Sequence, residues 1–448
     1  MKILFISLGC DKNLVDSEVM LGLLTKNGYT LTDDETQADV IVINTCCFIH
    51  DAKEESINTI LEMAQYKEQN LKALVVAGCL AERYKDEILK EIPEIDAVLG
   101  TTSYDSIVEA VNTALEENTG EHFEHYESID YLPDNSEVER VVTTGNHMAY
   151  LKIAEGCDKR CSYCIIPKIR GHFRSVPMEE LLNEAKRLAS EGVKELVLVA
   201  QETTLYGKDL TGEKQLPLLL HELCKIEGIE WIRLLYCYPE EITDELIKVI
   251  KTEEKVCNYI DMPIQHSENR ILQRMGRRTS REDLVAVIKK LRQEIPDITI
   301  RTTLITGFPG ESEEDHEGLM NFVEECKFDR LGVFTYSPEE DTLAATFEDQ
   351  IDEEVKEARR DELMSLQQEI SYEHTQQLVG KTIKVMVEGY LFEDDIYVGR
   401  SYMDAPKVDG CVFINSPEEL MTGDFVYVKI TQGREYDVIG EVDYEFTK

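Results

Sequence analysis

Short apolar runs that end in turn residues alternate along this chain with stretches whose apolar side chains recur every three or four positions. That is the pattern of strands alternating with helices. In the first hundred residues the runs are Lys2–Leu8, Asp39–Asn44, Ala73–Gly78 and Ala97–Gly100. Helical spacing follows in 14–27 (Leu14, Val15, Val19, Leu23, Leu24) and in 51–69. Residues 118–144 break the pattern; polar, rich in Glu, His and Asn, and carrying Pro133, they read as a linker. The alternation resumes with strands predicted over Met148–Ile153, Glu195–Ala200, Trp231–Tyr236, Tyr259–Met262, Ile298–Leu304 and Arg330–Phe334. Helices are predicted over 177–191, with Pro177 in the first turn, and over 216–226. A charged helix follows over 351–378, stopped by Gly380. Five short strands close the chain: Thr382–Glu388, Ile396–Val398, Cys411–Ile414, Phe425–Ile430 and Tyr436–Val442. The pattern predicts an α/β chain. An open parallel sheet occupies 1–140, a partial TIM-like barrel 145–350, a connecting helix 351–379 and a small OB-like β-barrel 380–448.

Length and charge narrow the class. At 448 residues the chain has room for about three domains. No apolar run is long enough to span a membrane, and the start reads as a strand rather than a signal peptide, so a cytoplasmic location is expected. The 12 cysteines are then better read as cofactor ligands or core residues than as disulfides. The formal net charge is −42, from 89 acidic against 47 basic residues, a field that repels a nucleic-acid backbone and favours a basic partner.

The cysteines carry the candidate chemistry. Cys157, Cys161 and Cys164 stand at C-x3-C-x2-C spacing in one loop, with Tyr163 before the third. Three thiolates can hold three irons of a 4Fe–4S cube and leave the fourth iron open. A closed zinc site is the alternative; it needs a fourth ligand, which His172 would have to supply. Cys224, Cys237, Cys257 and Cys326 have no ligand spacing and read as core residues. A second constellation appears only through the fold. Cys10, Cys46 and Cys79 each fall just past the end of a predicted parallel strand, at the edge where α/β sheets bind ligands. Three buried structural cysteines are the plainer alternative.

The loop Gly156-Cys157-Asp158-Lys159-Arg160-Cys161-Ser162-Tyr163-Cys164 resembles the signature of radical S-adenosylmethionine enzymes. With Lys152–Gly156 before it and Pro167–Ser175 after it, the text is similar to that of the methylthiotransferases. The N-terminal motifs Leu8-Gly9-Cys10-Asp11-Lys12-Asn13, Asn44-Thr45-Cys46-Cys47-Phe48 and Gly78-Cys79-Leu80-Ala81-Glu82-Arg83 extend the resemblance over essentially the whole chain. It implies a transferase with two 4Fe–4S clusters, one on Cys157, Cys161 and Cys164 and one on Cys10, Cys46 and Cys79. Cys47 is then a packed neighbour, and Gly9 and Gly78 allow close approach to the cluster. The resemblance also implies that S-adenosylmethionine is contacted by Gln201, Glu202, Ile305, Gly307 and Pro309, and that an electron donor serves the reaction. It names no certain catalytic side chain, since the chemistry belongs to the clusters. Gln265, His266 and Arg274-Met275-Gly276-Arg277-Arg278 match further family text. His266 reads equally as a structural histidine, and the arginines as an exposed helix end.

The C-terminal barrel resembles a TRAM domain, a module often used on RNA. Residues 380–448 hold seven basic and fourteen acidic side chains, a net −7, where an RNA groove should be basic. The stretch 399–410 also resembles the branch of the family that modifies a ribosomal protein. The implied substrate is therefore an aspartate β-carbon of small-subunit ribosomal protein S12, free or in the ribosome, with nucleic acid not the primary substrate. Transfer-RNA adenosine methylthiolation and a non-catalytic iron–sulfur protein are the alternatives.

Overall fold

Val40–Thr45 and Ala73–Gly78 are buried at every position, which is why Val40–Ile43 and Ala73–Ala77 read as unbroken apolar runs rather than alternating ones. In the computed structural model, which describes residues 1–116, 122–136 and 138–445, they lie inside a six-stranded parallel sheet. Its strands are β1 (Lys2–Ser7), β2 (Thr30–Leu31), β3 (Val40–Thr45), β4 (Ala73–Gly78), β5 (Ala97–Leu99) and β6 (Phe123–His125), in the order β2-β1-β3-β4-β5-β6. The winding reverses between β1 and β3, so their carboxyl ends flank a switch-point crevice.

The linker expectation for 118–144 is corrected over the described part of that stretch. β6 pairs with β5, Asn135 donates to the Tyr104 hydroxyl, and buried Arg140 meets Glu18 at 3.0 Å. Polar composition misleads here because a few of these side chains, buried Arg140 and half-buried Asn135 among them, are paired within the protein. Positions 118–121 and 137 of that stretch, and 446–448 of the terminal one, lie outside the described residues.

The second unit begins with β7 (Met148–Lys152), then a short hairpin of β8 (Ala154–Glu155) and β9 (Arg174–Ser175). It continues through β10 (Glu195–Val199), β11 (Trp231–Leu234), β12 (Tyr259–Asp261), β13 (Thr299–Thr306) and β14 (Arg330–Thr335). Two parallel three-stranded sheets, β7-β10-β11 and β12-β13-β14, are joined through the isolated bridge Ile232–Val256 into an open arc. Leu151, Leu196, Leu198, Ile300 and Leu304 pack against helices such as Met178–Ser190, whose Leu181, Ala185 and Leu188 are fully buried. Pro177 caps that helix instead of entering its first turn.

The helix Glu353–Leu378 leads to Gly380, whose φ is +88°. A closed barrel follows, made of β15 (Thr382–Leu391), β16 (Ile396–Ser401), β17 (Val412–Asn415), β18 (Phe425–Gly433) and β19 (Val438–Val442). Met386 and Ala405 of this barrel pack on Met148, Trp231 and Tyr259, each the first residue of its strand. The barrel thus closes the end of the arc away from the carboxyl-end loops.

Charged residues make that docking specific. Arg400 reaches Glu195 at 2.6 Å, Arg233 shares the same carboxylate at 2.8 Å, and Arg233 also donates to the Tyr402 carbonyl. Asp404 pairs with Arg330, and Asp409 meets Arg301 at 3.3 Å and the Tyr259 hydroxyl at 2.7 Å. The stretch 399–410, tied above to substrate choice, therefore points inward through its Arg and both Asp side chains. Among the described residues no helix is long and apolar enough to cross a membrane.

Candidate functional site

Each of the first three motif cysteines sits where a strand hands over to a helix. Cys10 caps the helix Asp11–Lys26, Cys46 follows β3, and Cys79 opens the helix Cys79–Arg83. Gly9 makes this possible: its φ is +84°, and a Cβ there would stand 2.6 Å from Cys46 Cβ and 2.8 Å from its Sγ. The glycine therefore serves the approach of two thiol-bearing loops to each other.

Asn13 ties the three loops together, one helical turn after Cys10. Its Nδ2 donates to the Leu8 carbonyl at 3.0 Å and the Thr45 carbonyl at 2.9 Å, and its Oδ1 accepts from Cys79 Sγ at 3.9 Å. Ser56 holds Cys46 through both its amide and its carbonyl. Cys47 turns away and donates to the Cys79 carbonyl at 3.1 Å.

The radical loop is held by its own half of the chain. Cys157 N–H donates to the Gly171 carbonyl, Ser162 N–H to the Met275 carbonyl and Ser162 Oγ to the Arg274 carbonyl, while Ala344 N–H donates to the Ser162 carbonyl. The stretch Arg274–Arg278 thus backs the cysteines, and its reading as an exposed helix end is corrected for Arg277. That side chain is buried, donates to the Pro263 carbonyl and lies over the Tyr238 ring at 4.5 Å. Arg274 pairs with Asp349 at 2.7 Å, and Arg278 is exposed.

Each group offers three thiols, with Cys47 beside the first. Burial pushes the Cys46 and Cys157 thiols up to about 12 and those of Cys79 and Cys164 up as well, and within each group the neighbouring thiols add to the effect. Such thiols ionise on binding metal, not before it. His172 is exposed with Nδ1 on Asp158 at 2.9 Å. Among the described residues no three ligating side chains converge on a single ion position. The donor set fits the open iron–sulfur cluster better than closed zinc.

A cavity of about 780 Å³ is lined by chain neighbours of both groups. Phe48 and His50, just past Cys46, line one wall; Tyr163, Gln265 and Ile305 line the other. The carboxyl ends of β10, β12 and β13 supply Gln201, Gln265 and Ile305, as an α/β arc should. Gln201 Nε2 donates to Glu155 at 2.7 Å, leaving its Oε1 buried without a partner, as is Gln265 Oε1. Burial lifts the Glu202 carboxyl to about 7 against the pull of Lys159, 3.8 Å away. Pro309 is buried beside Phe308, whose ring meets Tyr163, Tyr336 and Phe347 edge-on. His266 is fully buried, accepting at Nδ1 from the Glu268 amide, with Nε2 3.6 Å from Glu311.

Gly307 also has a reason within the fold. Its φ is +70°, and a Cβ would lie 2.2 Å from Lys356 Cγ, on the connecting helix. Gly307→Ala should cost about 1–3 kcal/mol in a denaturant titration, from left-handed strain and overpacking. Adding Lys356→Ala should return the overpacking share, and no loss in the single variant would refute this packing.

The sequence reading did not single out Asn13, Glu155 or Arg170. Arg170 donates to Asp16 at 2.9 Å, Glu155 at 3.0 Å and Cys79 Sγ at 3.6 Å, and also contacts Asn13. It thus bridges the two cysteine-bearing halves.

Comparison with known proteins matches three segments. Residues 2–100 match the uncharacterized protein family UPF0004, 151–323 the radical SAM superfamily and 379–442 the TRAM domain. The chain is 62% identical over 444 residues to ribosomal protein uS12 methylthiotransferase RimO of Lachnoclostridium phytofermentans, covering 99% of this chain and 100% of that one. It is 52% identical to the protein of the same name from Acetivibrio thermocellus, over 100% and 99% of the two chains. The structure of the radical S-adenosylmethionine methyltransferase TsrM from Kitasatospora setae, with cobalamin and a 4Fe–4S cluster bound, is similar at TM-score 0.55. The match covers 85% of this chain and 78% of that one at 13% identity, a likeness of fold.

Proposed function

We propose that the chain, which belongs to the RimO family of ribosomal protein uS12 methylthiotransferases, places a methylthio group on the β-carbon of an aspartate of uS12. The observation that carries this reading is the pair of three-thiol groups, each at strand carboxyl ends, with a chain neighbour of each, Phe48 and Tyr163, lining one cavity. Cys157, Cys161 and Cys164 would hold the cluster that works with S-adenosylmethionine, and Cys10, Cys46 and Cys79 a second one. When bound, these groups supply a radical able to take hydrogen from an unactivated C–H bond, and the sulfur and methyl to replace it.

The protein's own task is placement. The unpartnered Gln201 Oε1 and the Glu202 carboxylate offer acceptors for the ammonium end of S-adenosylmethionine. Ile305, at the cavity wall, and Gly307 and buried Pro309, which shape the loop beyond it, would bound its adenine. We assign residues 1–140 to the second cluster, 145–350 to the radical chemistry, 351–379 to the connecting helix and 380–448 to the TRAM barrel. The net −7 of that barrel, with Glu393, Asp394 and Asp395 exposed beside Phe392, favours a basic protein over RNA.

The test uses the purified, iron-loaded and reduced protein with S-adenosylmethionine and either uS12 or transfer RNA. Methylthioaspartate should appear in uS12 while the RNA stays unchanged. A methylthiolated adenosine with unmodified uS12 would overturn the substrate assignment.

A further inference from the structure

Arg170 follows the radical loop in sequence yet touches a sulfur of the other cysteine group. It is 2% exposed, and the two ends of its guanidinium face different partners. Nη1 donates to Asp16 Oδ2 at 2.9 Å and Glu155 Oε2 at 3.0 Å. Nη2 donates to Asn13 Oδ1 and, at 3.6 Å, to Cys79 Sγ. Lys152 contacts the same two carboxylates, at 2.9 Å in the case of Glu155. Two cations thus balance two carboxylates, and the Nη2 end is left facing a neutral amide and a sulfur.

We infer that Arg170 is a positioning residue for the N-terminal thiol group, raising the reduction potential of the cluster that Cys10, Cys46 and Cys79 would hold. Hydrogen bonds to cluster sulfurs and nearby positive charge favour the reduced, more negative state. Burial strengthens both effects by excluding water. Because the guanidinium belongs to one half of the chain and the sulfur to the other, that potential depends on the two halves being docked. The inference rests on the reading that these three thiols hold a cluster.

The experiment uses the full chain with Cys157, Cys161 and Cys164 replaced by alanine, leaving the N-terminal group alone. Iron and sulfide are counted, and the cluster is titrated redox-potentiometrically by electron paramagnetic resonance. Arg170→Met should move the midpoint to more negative potential. Arg170→Lys, which keeps the charge without the forked donor, should move it less. Asp16→Asn removes a negative charge from the same group and should move it the opposite way. A role confined to folding would change the iron bound and give no such pair of opposed shifts. Superimposable titrations would overturn the inference, whereas a parent without iron and sulfide would overturn the reading beneath it. Should Arg170→Met fail to load iron, Asp16→Asn against the parent decides: an upward shift supports the inference and no shift refutes it.

Discussion

Cys161→Ala should abolish both S-adenosylmethionine cleavage and methylthiolation, whereas Cys46→Ala should retain cleavage and abolish methylthiolation alone. The split follows from how the loops are held. Every backbone contact described for the radical loop comes from its own half of the chain: Gly171, Arg274, Met275 and Ala344. Losing a thiol at the end of β3 removes none of them. Losing Cys161 leaves two thiols where the open cluster needs three. The measurement is product analysis of 5′-deoxyadenosine and of modified uS12, alongside iron content. Loss of both products in Cys46→Ala, at full iron in the radical site, would contradict the separation.

The second large effect lies far from the chemistry. Glu195→Ala should destabilise the protein by about 3–5 kcal/mol, the cost of leaving buried cations unpaired. Arg233 and Arg400 both address this carboxylate, at 2.8 Å and 2.6 Å, and all three side chains are buried. Burial alone would raise the carboxyl, but the two arginines bring it down to about 2. A lowered carboxyl contributes stability above its ordinary value near 4.5 and loses it as the pH falls toward 2. The sign is therefore fixed: the native chain should lose roughly 3 kcal/mol of this contribution over that window, and Glu195→Gln should show a flatter acid limb. Denaturant titrations at neutral pH and at steps across the window from 4.5 down to about 2 measure both. An Ala variant as stable as the native chain would show that the barrel does not depend on this cluster.

Both effects trace to residues of unequal visibility in the sequence. Cys157, Cys161 and Cys164 announce themselves by local spacing, and Cys10, Cys46 and Cys79 by a topological rule, since strand ends of a parallel sheet share one edge. Strands such as β3 and β4 were legible because burial on both faces leaves the unbroken apolar runs Val40–Ile43 and Ala73–Ala77 to read. The edge strands were not: β2 is two exposed residues, and β6 lies in polar text.

The buried charges were the least legible of all. Lys12, Asp16 and Glu18 lie on a helix of which only the apolar spacing is legible, yet all three are buried, Lys12 and Asp16 against Tyr236, Lys152 and Arg170, and Glu18 against Arg140 and Thr143. Arg170 and Cys79 meet across 91 positions and Arg400 and Glu195 across 205, and nothing local marks one as the partner of the other. Gly307 shows the same limit, because the Lys356 side chain that demands a glycine belongs to another element.

The most direct test of the central claim is the mass of the uS12 aspartate peptide from cells with and without this gene. Digested transfer RNA from the same cells is the control. Loss of one methylthio group from that aspartate on deletion, restored by the native gene and not by Cys10→Ala, is the predicted result. An unchanged peptide, with a methylthiolated adenosine lost from the RNA instead, would contradict it.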